Sequence, residues 1–329
     1  MMTSRILVAL ALFASLAYCS SAYEARSTTT TVRVVDENGE GIQGAMVGVT
    51  YSPLRGDKYV TGEGLTDSEG LFRFTGIAYY EVFVSAEKDG YYKSREEALA
   101  YAHVDGQKMS PNDPQVELVL KEIEDPVAMY VRANFEVTLL EMEARVGFDL
   151  MLMDWVAPYG GGKSADVFFE MRGHYEGPDD RSALLIMSFP NEGDGVWEFQ
   201  ADQGSGSFLR SPQLAPTEGY IREKSWSSSR IKTVDDEFNE AWSTSGEKRS
   251  DANYVLRIRT ELDEEGRVEK ANYAKIYGDI GFYGYHPDGS YLYFDGLYFN
   301  PEVNDRRLEF DMKKNLLDSI PTLERPKLP

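Results

Sequence analysis

Residues 28–51 read TTTTVRVVDENGEGIQGAMVGVTY, and the fold of the chain turns on how this stretch behaves. Its first part is β-branched and partly alternating, with Val32 and Val34 on one side of an extended chain and Arg33 on the other. It runs into Asp36-Glu37-Asn38-Gly39, where Asn and Gly tolerate positive φ and the chain reverses. AMVGVTY over 45–51 then resumes the period-two alternation. The same grammar continues downstream: TDSEG at 66–70 is a second turn, followed by a short strand at 71–74. VFVSA at 82–86 is a strand closed by Asp89-Gly90, and 116–120 is the last of the series. Short strands at intervals of about ten residues, separated by turns, predict a β-sandwich over 28–121.

These residues also carry a resemblance. The succession V-R-V-V-D-x-N-G-x-x-I-x-G-A-x-V, T-D-x-x-G-x-F-x-F and V-F-V-S-A-x-K-x-G-Y resembles the carboxypeptidase-regulatory-like family, whose fold is of the transthyretin or immunoglobulin type. Gly41 departs from it, standing where relatives usually carry proline. The resemblance implies a non-catalytic scaffold joined to another functional domain. It does not imply a peptidase, because none of His103, His174 and His286 begins the H-x-x-E motif of the zinc carboxypeptidases.

Asp125-Pro126 follows the last strand and marks the linker, so a second domain is expected over 126–329. Apolar and aromatic runs at 130–140, 146–153, 165–172, 183–189, 196–200, 254–260, 271–276, 291–299 and 308–310 read as strands of a larger β-sandwich. Helices are expected only at 94–102, where Ser94 and Glu97 form a capping box, and at 234–242, where Phe238, Ala241 and Trp242 would share a face. Phrases such as DWVAPYGGGKSADVFF and FNPEVNDRRLEFD resemble the C-terminal halves of uncharacterised exported bacterial proteins, a likeness that brings no assigned activity.

The N-terminus carries Arg5, an apolar run from 6 to 17 and the small residues Ser20 and Ala22, the layout of a secretory signal peptide over 1–22. An exported protein, periplasmic or extracellular, is the expectation. The apolar run is too short for a permanent membrane span. Tyr18 before Cys19 is bulkier than a lipoprotein box accepts, so lipid anchoring at Cys19 is not expected. Cys19 is the one cysteine, so a chain cleaved after Ala22 has no disulfide, thiol nucleophile or cysteine-bound metal. A formal net charge of −21 argues against nucleic acid as a partner, since that contact needs clustered Lys and Arg. A polysaccharide or another envelope protein is left as the expected partner.

Catalytic templates fail on inspection. GEGIQG at 39–44 matches G-x-G-x-x-G but leads into a strand, so no helix N-terminus faces a pyrophosphate. PYGGGKS at 158–164 ends like a phosphate loop, yet Ala157 stands where its first glycine belongs. Neither G-x-S-x-G nor H-E-x-x-H occurs. A glycosidase or lyase needs only two carboxylates, and Glu170, Glu176, Glu192, Asp194, Asp279, Asp305 and Glu309 supply candidates. Asn191-Glu192-Gly193-Asp194 gathers oxygen ligands on a turn and is the candidate Ca²⁺ site, with no other cofactor expected. Trp155, Tyr159, Trp197, Tyr220 and Trp226 are the candidate binding residues, as flat rings in or beside loops that could stack on sugars or a partner. The reading as a whole is a mainly β, non-catalytic binding or structural protein acting through its second domain, with the carbohydrate-active enzyme as the alternative.

Overall fold

The computed structural model describes residues 26–52, 58–78, 81–99, 101–104, 108–111, 113–177, 180–200, 206–235, 239–245, 249, 251–282, 285 and 289–329. The expected signal peptide and Cys19 lie outside them. No α-helix occurs among the described residues, and one 3-10 turn covers Thr322–Glu324. The chain divides into two compact units: one runs to Asp89 and resumes over Lys93–Leu120, and the other holds Gly90–Tyr92 and Lys121–Pro329.

In the first unit the strands are β1 (Arg26–Val35), β2 (Met46–Tyr51), β3 (Val60–Leu65), β4 (Leu71–Ala78), β5 (Glu81–Glu87), β6 (Ser94–Leu99), β7 (Tyr101–Val104), β8 (Lys108–Pro111) and β9 (Gln115–Val119). They build a sheet β4-β1-β9 and a sheet β3-β2-β5-β6, with β7 and β8 as a separate ribbon. This is the three-plus-four division of an immunoglobulin-type sandwich. Val32 and Val34 of β1 and Val47, Val49, Val82 and Val84 of β2 and β5 have almost no solvent exposure. Tyr51 crosses from one sheet to the other. Its ring stacks on Phe74 at 5.6 Å, and its hydroxyl lies 3.1 and 3.0 Å from the main-chain oxygens of Thr28 and Phe74.

The turns obey one rule. Asp36, Asp67 and Asp263 each accept main-chain N–H groups two and four residues on, at 2.8–3.0 Å, and each is followed three positions later by a glycine at φ between +75° and +80°. The three glycines are not equivalent. A Cβ on Gly39 or Gly266 would meet nothing within 4 Å, whereas one on Gly70 would lie 2.3 Å from the Val34 oxygen. Gly39→Ala should therefore cost about 1 kcal/mol, the strain of the left-handed conformation alone. For Gly70→Ala we expect roughly 3 kcal/mol, because backbone must also move. Urea unfolding of the two variants reads the difference, and equal losses would contradict this account of the turn.

The second unit contains β10 (Val127–Leu139), β11 (Val146–Asp149), β12 (Asp154–Trp155), β13 (Val167–Gly177), β14 (Asp180–Ser188), β15 (Gly195–Gln200) and β16 (Glu223–Asp235). It continues with β17 (Asn239–Ser245), β18 (Ala252–Leu262), β19 (Val268–Tyr277), β20 (Gly281–Phe282), β21 (Ser290–Asn300) and β22 (Phe310–Asn315). A seven-stranded sheet runs β15-β18-β19-β21-β10-β22 with β20 on β21, and a six-stranded sheet runs β12-β11-β13-β14-β16-β17. Phe148, Phe169, Leu185 and Met187 of the six-stranded sheet pack against Phe135, Leu256, Ile276 and Phe294 of the seven-stranded one. The outer face of the seven-stranded sheet carries two smaller buried clusters, around Tyr277 and Tyr298 and around Val255 and Tyr273.

Both expected helices are corrected. Residues 94–99 form β6, paired with β5 through Ser94↔Ala86 to Leu99↔Glu81, and 101–104 form β7. The free edge of β5 supplies a full ladder of hydrogen bonds, which outweighs the helix preference of Glu, Ala and Leu. β16 and β17 pair as a hairpin, with Val234↔Glu240 and Lys232↔Trp242, so 234–235 and 239–242 are strand and not helix, while 236–238 lie outside the described residues. β16 pairs with β14 over nine residues, from Asp180↔Ile231 to Ser188↔Glu223, so its place is fixed by the open edge of β14.

Candidate functional site

The aromatic residues singled out in the sequence do not form one exposed platform. Trp155 is core: it is buried in β12 and packs edge-on against Phe148 at 5.1 Å and Phe169 at 6.0 Å. Tyr159 is half-buried against the same core. Trp197 and Tyr220 share the cluster around Val255 and Tyr273, where Trp197 stacks on Phe199 and Tyr220 lies under Arg257 at 4.5 Å. Trp226 packs against the same core as Trp155 and Tyr159 and meets Tyr254 edge-on at 5.7 Å. Rings that alternation places on the inner side of a strand cannot also face solvent.

The candidate calcium turn is held from within. Asp194 is buried; one carboxylate oxygen accepts from the Thr260 amide at 2.8 Å, and the other accepts from the Asn191 amide at 3.1 Å and its side chain at 2.9 Å. Asn191 and Glu192 are exposed. Asp194 thereby straps this turn to β18.

The candidate acids are spread out and mostly bound. Glu170 pairs with Arg172, and Asp305 with Arg307. Glu309 accepts from the Tyr92 hydroxyl and from the amides of Glu124 and Asp125. Asp279 belongs to a network the sequence did not reveal. It accepts from Trp226 Nε1 and the Tyr254 hydroxyl, both at 2.5 Å, and from the Arg249 amide at 3.1 Å. Glu198 nearby accepts from Arg249 and Lys224, each at 2.6 Å. Burial pushes the Glu198 carboxyl up, but the hydrogen bonds and charges of Lys224 and Arg249 outweigh it and hold the group below the usual carboxylate range. Glu198 is thus kept ionised. Burial, reinforced by Asp279, drives the Tyr254 hydroxyl well above its ordinary value. A glycosidase needs one carboxyl kept protonated near neutrality, and this network works against that at Glu198.

A cavity of about 710 Å³ opens on the other face of the six-stranded sheet. Strand register builds its floor: Phe168 lies beside Ser188 and Ser188 beside Glu223, while Glu170 lies beside Ile186 and Ile186 beside Ser225. Three arginines converge on it from separate parts of the chain: Arg145 before β11, Arg172 on β13 and Arg222 before β16. Arg145 lies over the Phe168 ring at 4.6 Å and donates to Ser188 Oγ at 3.1 Å. Arg172 donates to Glu170 at 2.5 Å. Arg222 is exposed and has no side-chain partner among the described residues. The groove thus offers an apolar floor, the Ser188 hydroxyl, two carboxylates and three guanidinium groups, of which that of Arg222 has no side-chain partner among the described residues.

No protein-family model matches the chain, and no curated protein does. Among solved structures it is distantly similar to BcpA, the major pilin subunit of Bacillus cereus, at 12% identity over 82% of this chain and 95% of that one, with a TM-score of 0.23. It is similar at the same level to the shaft pilin SpaA of Lactobacillus rhamnosus GG, at 11% identity over 72% and 89%, TM-score 0.21. A candidate carbohydrate-binding protein of Bacteroides uniformis matches at 12% identity over 82% and 97%, TM-score 0.18. Likenesses of this size assign neither family nor activity, and the chain's β architecture rests on its own strand pairing.

Proposed function

We propose that this is an exported, non-catalytic binding protein whose second unit holds an acidic polysaccharide in the groove over β13, β14 and β16, with the first unit serving as a scaffold of the carboxypeptidase-regulatory-like kind. The observation that carries the reading is the convergence of Arg145, Arg172 and Arg222 on an apolar floor in a chain of net charge −21. Guanidinium groups present paired donors matched to carboxylates. Ile186 and Phe168, whose ring Arg145 overlies, make the apolar floor against which a sugar ring would lie, and Ser188 can bond its hydroxyls. The seven-stranded sandwich of the first unit supports the scaffold role, and the signal-peptide layout of residues 1–22 supports export.

Binding of oligouronates and of neutral glucan oligomers to the full chain tests the reading by calorimetry. Oligouronates should bind and neutral glucans should not, with affinity falling as salt rises. Arg222→Ala should weaken binding roughly tenfold, the worth of one charge-assisted hydrogen bond. Equal binding of neutral oligomers, or an unchanged affinity in Arg222→Ala, would overturn it.

A further inference from the structure

We propose that His174, Glu176 and Asp180, at the closed end of the β13–β14 hairpin, form a binding site for a divalent transition-metal ion of the zinc type. His174 and Glu176 are two apart on β13, so their side chains leave the same face. A register shift between Tyr175 and Gly177 sets Asp180 opposite Gly177, which brings a third ligand from β14 onto that side. His174 Nε2 lies 3.8 Å from a Glu176 oxygen and 3.9 Å from an Asp180 oxygen, and one ligand atom from each residue falls within 4.8 Å of the other two.

Zinc bonds of about 2.0–2.2 Å in a tetrahedron put neighbouring ligand atoms about 3.3 Å apart. The two gaps to His174 are wider by about half an ångström and the third lies within 4.8 Å, distances that side chains exposed by 52%, 71% and 53% close by rotation. Charge favours the ion as well. Two carboxylates are held beside one imidazole in a strongly acidic chain, and a divalent cation neutralises both.

The imidazole decides which ion. Calcium and magnesium take oxygen ligands in sets of six or more, whereas a nitrogen with two carboxylates suits zinc, nickel or copper. Three protein ligands leave a zinc ion an open position. None of the three ligands lines the groove, although Arg172 stands two residues before His174 on β13, and zinc binding is read independently of sugar binding, so its presence or absence does not decide the proposed function. It also differs from the Asn191–Asp194 turn, whose buried carboxylate is bonded internally.

Titration of the chelator-treated full chain with Zn²⁺ and with Ca²⁺ tests the site, using isothermal calorimetry on wild type, His174→Ala and Asp180→Asn. One Zn²⁺ should bind with a dissociation constant on the order of 10 μM, and Ca²⁺ should give no comparable heat. Each variant should weaken Zn²⁺ binding at least about tenfold. All three positions are exposed, so far-UV circular dichroism should be unchanged and the loss will not reflect unfolding. Absence of Zn²⁺ binding to wild type, undiminished binding to His174→Ala, or Ca²⁺ binding as tight as Zn²⁺ would each overturn the assignment.

Discussion

Phe148→Ala should destabilise the second unit by about 3–5 kcal/mol. Phe148 is fully buried and lies where the two sheets of that unit meet. Within its own sheet it meets Trp155 and Phe169 edge-on, at 5.1 and 6.2 Å. Across the sandwich it stacks on Phe294 at 6.2 Å, and Phe294 stacks in turn on Phe135 at 5.2 Å. Removing the ring deletes contacts on both sides and leaves a cavity that close-packed sheets cannot collapse to fill. Leu140→Ala is the control: Leu140 is 55% exposed, and its loss should stay within about 0.5 kcal/mol. A urea-unfolding series on the two variants decides the matter, and a loss below about 1 kcal/mol for Phe148→Ala would show that the aromatic layer does not join the sheets.

The second large effect comes from a single buried charge. Arg259 grips Asp166 through two hydrogen bonds of 2.7 and 3.0 Å, and Asp166 also accepts from the Leu150 amide at 2.9 Å. Burial pushes the Asp166 carboxyl up, and Arg259 opposes that shift. Arg259→Met removes the opposition and leaves an unpaired carboxylate inside the protein. Breaking such a pair costs about 3–5 kcal/mol; the Arg259 side chain is 30% exposed, so we expect about 3 kcal/mol at pH 7. The loss should depend on pH in a defined direction. With its folded-state pKa raised further, Asp166 is tolerated while protonated, below its unfolded value of about 3.9, and becomes destabilising as pH rises through the folded value. The difference between wild type and Arg259→Met should therefore be small near pH 4 and grow toward pH 7. A pH-independent difference would show that lost packing, and not the orphaned charge, is responsible.

Much of the fold is legible in the sequence because burial alternates along most strands. The runs at 254–260 and 291–299 fall within observed strands, those at 130–140 and 183–189 overrun theirs by one residue, and the D-x-x-G turns at Asp36, Asp67 and Asp263 behave alike. What failed was local propensity without a partner in view. SREEALA at 94–100 satisfies helix rules, yet 94–99 lies along the open edge of β5. β16 reads EKSWSSSRIKTVD, with serines where an alternating strand would show apolar residues, and only the register with β14 makes a strand of it.

The groove was illegible for a related reason. Arg145, Arg172 and Arg222 are far apart in sequence and meet only once β13, β14 and β16 are paired. Glu170 was singled out as a possible catalytic acid and lies in the groove beside Arg172. The aromatic candidates drew notice because they lie in or beside loops, but Trp155 packs into the core and Trp226 donates to Asp279. A ring in sequence next to a loop carries no information about which side of the strand it leaves.

Binding without turnover is the role proposed for the groove. It is tested most directly by incubating the full chain with a uronic-acid polymer and measuring, in one sample, the fraction of polymer retained and the appearance of new chain ends. Retention of intact polymer with no rise in reducing or unsaturated ends is the predicted result. Steady release of shortened chains, abolished by Glu198→Gln or Asp279→Asn, would contradict it and make the network around Trp226 and Tyr254 an active site.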